Sequence, residues 1–119
     1  MAGNLAKIVA DLVPAVREGQ GALLMDPDGV SVEQAAPVPG ADLEAIAGEY
    51  ASLLRQARGL VAELDWGSPK NFSVRCAAGQ VVFAFAPQNL HLGVEAGPTG
   101  LRGQIRYALG QALAQMDDL

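Results

Sequence analysis

The chain has 119 residues, half of them apolar, and eight basic against thirteen acidic side chains give it a net charge of −5. That length suffices for one domain, 1–119, burying roughly two thirds of its unfolded surface, while the negative balance and the lack of a basic run argue against nucleic acid as a partner. A lone cysteine, Cys76, excludes an intrachain disulfide or a multi-cysteine zinc site and fits a reducing, cytoplasmic setting.

Leu5, Ile8, Val9 and Leu12 share one face and predict a first helix over 4–13. Pro14 is expected to end it, because a proline ring disfavours α backbone at the residue before it. Lys7 and Asp11 interrupt the apolar pattern, so the segment reads as an amphipathic helix rather than a secretory signal. From Gly21 to Gln34 two strand-like runs flank Asp26-Pro27-Asp28-Gly29, a hairpin in which proline presets φ and glycine takes the strained corner. A calcium loop of the EF-hand type needs its glycine sixth and a further ligand fifth; here Gly29 stands fourth, so that reading fails. Ala35 to Gly40 carries two prolines and no period, which makes it a connection.

The longest helical pattern runs from Asp42 to Asp65. Leu43, Ala47, Tyr50, Leu54, Ala57, Val61 and Leu64 alternate by four and three, and Ile46, Leu53 and Leu60 widen the stripe into one broad face expected to be buried. Asp42 is placed to cap the first turn, and Gly67 to supply the left-handed residue that closes the last. On the opposite face small residues share a narrow arc, Ala41, Ala45, Gly48, Ser52 and Gly59, with Arg55 and Arg58 at the margin. Each helical glycine costs about 1 kcal/mol against alanine. Either something docks closely there, or the stripe reflects an alanine- and glycine-rich composition.

Beyond Trp66 the period changes to that of strands, over Asn71–Cys76, Gln80–Ala86 and Leu90–Ala96, an antiparallel meander. VVFAFA is apolar on both sides and belongs inside a sheet covered on both faces. Thr99 is placed to cap a last helix whose apolar face is Leu101, Ile105, Ala108, Leu109, Ala112 and Met116, with Arg102 and Arg106 outside it. Five strands and three helices make an α/β sandwich.

Catalytic signatures are missing. His91 is the lone histidine, and a pairing with Cys76 would have to reach across the middle strand of the meander. The sequence contains no nucleotide-binding glycine loop, nucleophile elbow or zinc-binding HExxH, and Gly97-Pro98-Thr99-Gly100 lacks the lysine of a phosphate loop.

Taken together, the amphipathic first helix, the LLMDPDG turn, the long Ala- and Leu-rich helix, GQVVFAFAPQNLHLGV and GLRGQIRYALGQAL resemble the roadblock family, its bacterial MglB-like members included. The resemblance covers nearly the whole chain. It implies a five-stranded antiparallel sheet of order 2-1-5-4-3, the long helix on one face and the two terminal helices on the other, a roadblock/profilin-like sandwich. It also implies a homodimer paired through Phe72, Ser73, Val74, Arg75 and Cys76, with the two long helices side by side as a platform. A Ras-like small GTPase would dock across Ala45, Gly48, Ser52, Arg55 and Gly59, as in bacterial cell polarity, and have its hydrolysis regulated there. The same resemblance implies no catalytic residue, cofactor or metal of the chain's own, and no membrane insertion. Two other classes stay open: a scaffold subunit, and a small-molecule sensor, which would need a polar-lined cavity. The Trp66 loop matches none of the motifs that carry the resemblance.

Overall fold

The computed structural model describes residues 2–37 and 42–118, and side chains from Asn4 onward. Ala41 and residues 38–40 of the proline-bearing connection therefore lie outside the described residues. In chain order the elements are helix α1 (Ala2–Ala15), strands β1 (Gly19–Met25) and β2 (Ser31–Ala35), helix α2 (Leu43–Glu63), strands β3 (Asn71–Arg75), β4 (Gln80–Phe85) and β5 (His91–Ala96), and helix α3 (Arg102–Asp117). All strand pairs are antiparallel and the sheet order is β2-β1-β5-β4-β3, with the last strand at the centre.

Strand alternation divides the core into two layers. Ala22, Leu24, Val82, Ala84, Leu92, Val94 and Ala96 face α1 and α3, where Val9, Leu12, Ile105 and Leu109 close over them. Leu23, Met25, Val81 and Phe83 point the other way and are covered by Leu43, Ala47 and Leu54 of α2. Ala51 is buried as well, so the seat of α2 on the sheet is narrow. Gly93 sits opposite Phe83, and a Cβ there would come within 2.6 Å of the ring; the glycine makes room for the largest buried side chain.

Several local details differ from expectation. Pro14 lies inside the last turn of α1, which runs on to Ala15, because Val13 and Val16 are buried against the sheet and that burial outweighs the proline's backbone preference. Asp42 does cap α2, its carboxylate accepting from the Ala45 N–H at 3.1 Å. The far end closes differently: Asp65 at φ 56 takes the left-handed place, Trp66 N–H donates to Val61 O and Asp65 N–H to Ala62 O. Those two bonds are the Schellman pair, completed one residue after the cap, so Gly67 lies past it. Thr99 does not cap α3, whose cap position is Leu101 with no side-chain bond; its hydroxyl and N–H both donate to the Glu18 carboxylate. Ala35 belongs to β2, and β3 stops at Arg75.

The β1–β2 turn is held by Asp26, whose Oδ1 accepts from the N–H groups of Asp28 and Val30 at 2.9 and 3.0 Å. Gly29, at φ 86, lets this turn tuck under α2, since a Cβ would meet Ala47 O at 2.9 Å.

Candidate functional site

No described helix is long and apolar enough to cross a membrane, and among the described residues no cluster of His, Cys, Asp and Glu is placed to hold a metal. The sheet has two outer strands, β2 and β3, and the long helix α2 carries exposed surface on two sides; the sequence-predicted site residues fall on α2 and β3.

Ala45, Gly48, Ser52, Arg55 and Gly59 are all exposed on the outward side of α2. A Cβ built on Gly48 or Gly59 would meet no atom within 4 Å, so neither glycine is required by packing inside this chain. The two arginines are not free. Arg55 Nη1 donates to the Pro27 carbonyl of the β1–β2 turn. Arg58 turns inward: its guanidinium lies 4.8 Å from the Phe85 ring centre and Nε donates to His91 Nε2 at 3.4 Å.

His91 is fully buried, edge-on to Phe85 with ring centres 5.4 Å apart. Burial, reinforced by Arg58 and then Arg55, pulls its pKa down to about 4, so the imidazole is neutral at physiological pH. Its Nδ1 and Arg58 Nη2 have no partner among the described residues. Burial likewise lowers the Arg58 pKa from its usual value. Cys76 is exposed beyond the end of β3, its N–H bonded to Gly79 O at 2.8 Å in the β3–β4 turn. The middle strand separates it from His91, and the structure brings the two into no common site.

A second surface was concealed by the helical period. Leu53 and Leu60 do not widen the buried stripe, and Leu64 does not continue it: they are 44%, 57% and 44% exposed. At 100° per residue they lie well round from Leu54, on a flank that the sheet does not reach. Together with half-buried Ile46, Tyr50 and Ala57 they form a run spaced four, three, four, three, four, which is the spacing of a heptad. The spacing is visible in the sequence, but it repeats that of the buried stripe, so period alone could not tell them apart.

The flank lies on the β3 side, where Tyr50 contacts Phe72 edge-on at 6.5 Å. β3 has no neighbour on its outer side among the described strands. Cys76 N–H bonds to Gly79 O and Phe85 N–H to Lys70 O, so even-numbered positions of this strand face β4. By the alternation of an antiparallel ladder, the backbone groups of Asn71, Ser73 and Arg75 face away from it. Phe72 and Val74 pack on the α2 side, whereas Arg75 reaches the other face and donates to Pro98 O at 3.0 Å.

The Roadblock/LC7 domain model matches residues 5–96, from the first turns of α1 to the end of the central strand. The chain belongs to the Roadblock/LC7 family. Solved structures agree with that membership. A Roadblock/LC7 domain from Streptomyces avermitilis is similar at TM-score 0.83 and 18% identity, over 95% of this chain and 94% of that one. Myxococcus xanthus MglB is similar at TM-score 0.87 and 14% identity, over 98% and 87%. MglC from the same organism is similar at TM-score 0.67 and 24% identity, over 98% and 99%. No curated protein sequence gives a significant match. At these identities the likeness is one of fold, and the Roadblock/LC7 architecture of a long helix over a five-stranded sheet accounts for it.

Proposed function

We propose that this Roadblock/LC7 chain is a non-catalytic, homodimeric regulator or adaptor of a Ras-like small GTPase. The observation that carries the proposal is α2 itself, which presents two unpartnered surfaces: a heptad flank beside the open β3 edge, and an outward stripe of small residues. The first suits a second copy of the chain, joined through the outward groups of Asn71, Ser73 and Arg75 and through the seam from Ile46 to Leu64. Phe72 and Val74 lie beneath that junction and Cys76 at its end. Pairing would set two α2 helices side by side, with Ala45, Gly48, Ser52 and Gly59 forming a shallow floor for a partner's larger side chains.

GTP hydrolysis needs a positioned water and stabilised charge on the transferred phosphoryl group. Arg55 and Arg58 are both bonded within their own chain, so neither is held ready as an arginine finger on this face. Its contribution would be to favour the competent arrangement of the partner's switch loops by binding them. The likeness to MglB supports this choice of partner class.

The test is Gly48→Arg together with Ser52→Arg. Both positions are exposed, so the pair is expected to fold and dimerise normally while losing capture of a Ras-sized GTP-binding protein and any stimulation of its hydrolysis. Undiminished binding by the double variant would show that the platform face has been misassigned.

A further inference from the structure

Beneath the N-terminal half of α2 lies a groove of about 350 Å³, lined by Ile46, Tyr50, Val74, Ala78, Val81 and Glu95 among others. It is largely apolar, and Val74, Cys76 and Ala78 bound it at the C-terminal end of β3. Glu95 is its one carboxylate, half-buried, and among the described residues no donor pairs with it. Loss of water, and after that the charge of Asp42, raises the Glu95 pKa from its ordinary value, as expected of an acid held without a counter-group.

The chain also carries one large side chain with nowhere to go. Trp66 is 74% exposed on the α2–β3 connection, the most exposed large apolar residue described. Its place follows from strand parity. If two β3 strands pair antiparallel about a two-fold axis through their outward groups, odd positions must oppose odd ones. An axis that pairs more than one outward position of Asn71–Arg75 then lies at position 72, 73 or 74. With the first two axes Lys70 of the second copy falls opposite Val74 or Cys76, and with the third it comes past the end of β3 beside the turn that holds Ala78; all three residues line the groove. Directly opposed residues share a face of the sheet. Lys70 is ladder partner to Phe85, which packs on the α2 side, so its ammonium comes to the groove side. Trp66 stands just upstream, within about 14 Å of chain even if fully extended.

We propose that the groove is completed by a second copy of this chain: the indole of Trp66 from one subunit enters between Ile46, Tyr50 and Val74 of the other, its N–H directed to Glu95, with Lys70 bringing positive charge to the mouth. An indole removes about 150–250 Å² from water when buried, and its N–H then requires an acceptor. The groove offers an apolar wall and that acceptor. This inference rests on the dimer proposed above, and it makes the dimer's two grooves reciprocal sites.

Trp66 is the chain's sole tryptophan, so intrinsic fluorescence reports on it alone. The experiment follows emission and acrylamide quenching across a concentration series, alongside sedimentation and alkylation of Cys76. Ser73→Pro supplies a monomer reference, because it removes an outward N–H and leaves the β3–β4 ladder whole. The expected result is a dimer whose Trp66 emission is blue-shifted and shielded and whose Cys76 reacts slowly, with Ser73→Pro reversing all three. Trp66→Ala, at an exposed position, should fold normally and weaken dimerisation about tenfold or more, as loss of an interface anchor does. Ala78→Phe, filling the groove from its own chain, should return Trp66 to solvent. A dimer with fully exposed Trp66 and freely reactive Cys76 would overturn the groove assignment and leave the dimer standing; a monomer at every concentration would overturn both.

Discussion

Two stripes run along α2 with the same alternation of four and three, and they meet opposite fates. The stripe of Leu43, Ala47 and Leu54 is sealed against Leu23, Met25 and Phe83, whereas that of Leu53, Leu60 and Leu64 remains in water. Hydrophobic periodicity therefore states which residues share a direction, and only the tertiary neighbours decide whether that direction is covered. One sheet beneath a helix with two apolar flanks seals one flank and leaves the other to solvent, which is the surface the proposed dimer would use.

The sharpest way to separate the stripes is a matched pair of truncations. Leu54→Ala should destabilise the fold by about 2–5 kcal/mol, since the side chain is fully buried and its removal leaves a cavity. Leu60→Ala should alter the unfolding free energy of the monomer by no more than about 0.5 kcal/mol and act on self-association instead. Denaturant titration below the association concentration, paired with sedimentation above it, reads both effects; equal losses of monomer stability would erase the distinction.

A polar group inside the sealed side offers a second contrast. His91 holds a pKa of about 4 in the fold against an ordinary value of 6.5. The unfolded chain thus binds its proton first as pH falls, so this stability is intact above pH 6.5 and is lost progressively down to pH 4, by up to about 3 kcal/mol. Wild-type unfolding should steepen in that window, and His91→Gln should flatten it; a wild type with constant stability from pH 7 to 4 would contradict the buried neutral imidazole. The smallest effect concerns the start shared by both stripes. Asp42→Ala removes the bond to the Ala45 N–H and should cost about 1 kcal/mol, visible as a lower thermal midpoint with no change of oligomeric state.

Much of the architecture was legible from the chain alone, because strand alternation, helix period and turn chemistry act locally. Asp26-Pro27-Asp28-Gly29 gave a hairpin, Asp42 a cap, and VVFAFA a strand covered on both faces, as found. Strand order came from resemblance, since no local rule says that β5 inserts between β1 and β4. Thr99 shows why end positions were missed: a hydroxyl suited to capping found a stronger acceptor in Glu18, distant in sequence and adjacent in space. The interior engagement of Arg58 was equally invisible, because a helical arginine carries no mark of whether it turns to solvent or onto Phe85. The exposed leucines were read as core for the same reason, as nothing in a spacing records the width of the surface underneath.

The placement of β5 between β1 and β4 also governs how the chain reaches its fold. Gly19–Met25 finds its inner neighbour only when Ala96 has left the ribosome, so the centre of the sheet is its last part to close. Until then the β1–β2 hairpin carries apolar side chains on both faces and an unsatisfied edge, and the long loop between pairing partners must be closed at an entropic cost before any central ladder bond rewards it. Such a chain folds late and nearly all at once, and its nascent N-terminal half is the state most in need of chaperone cover.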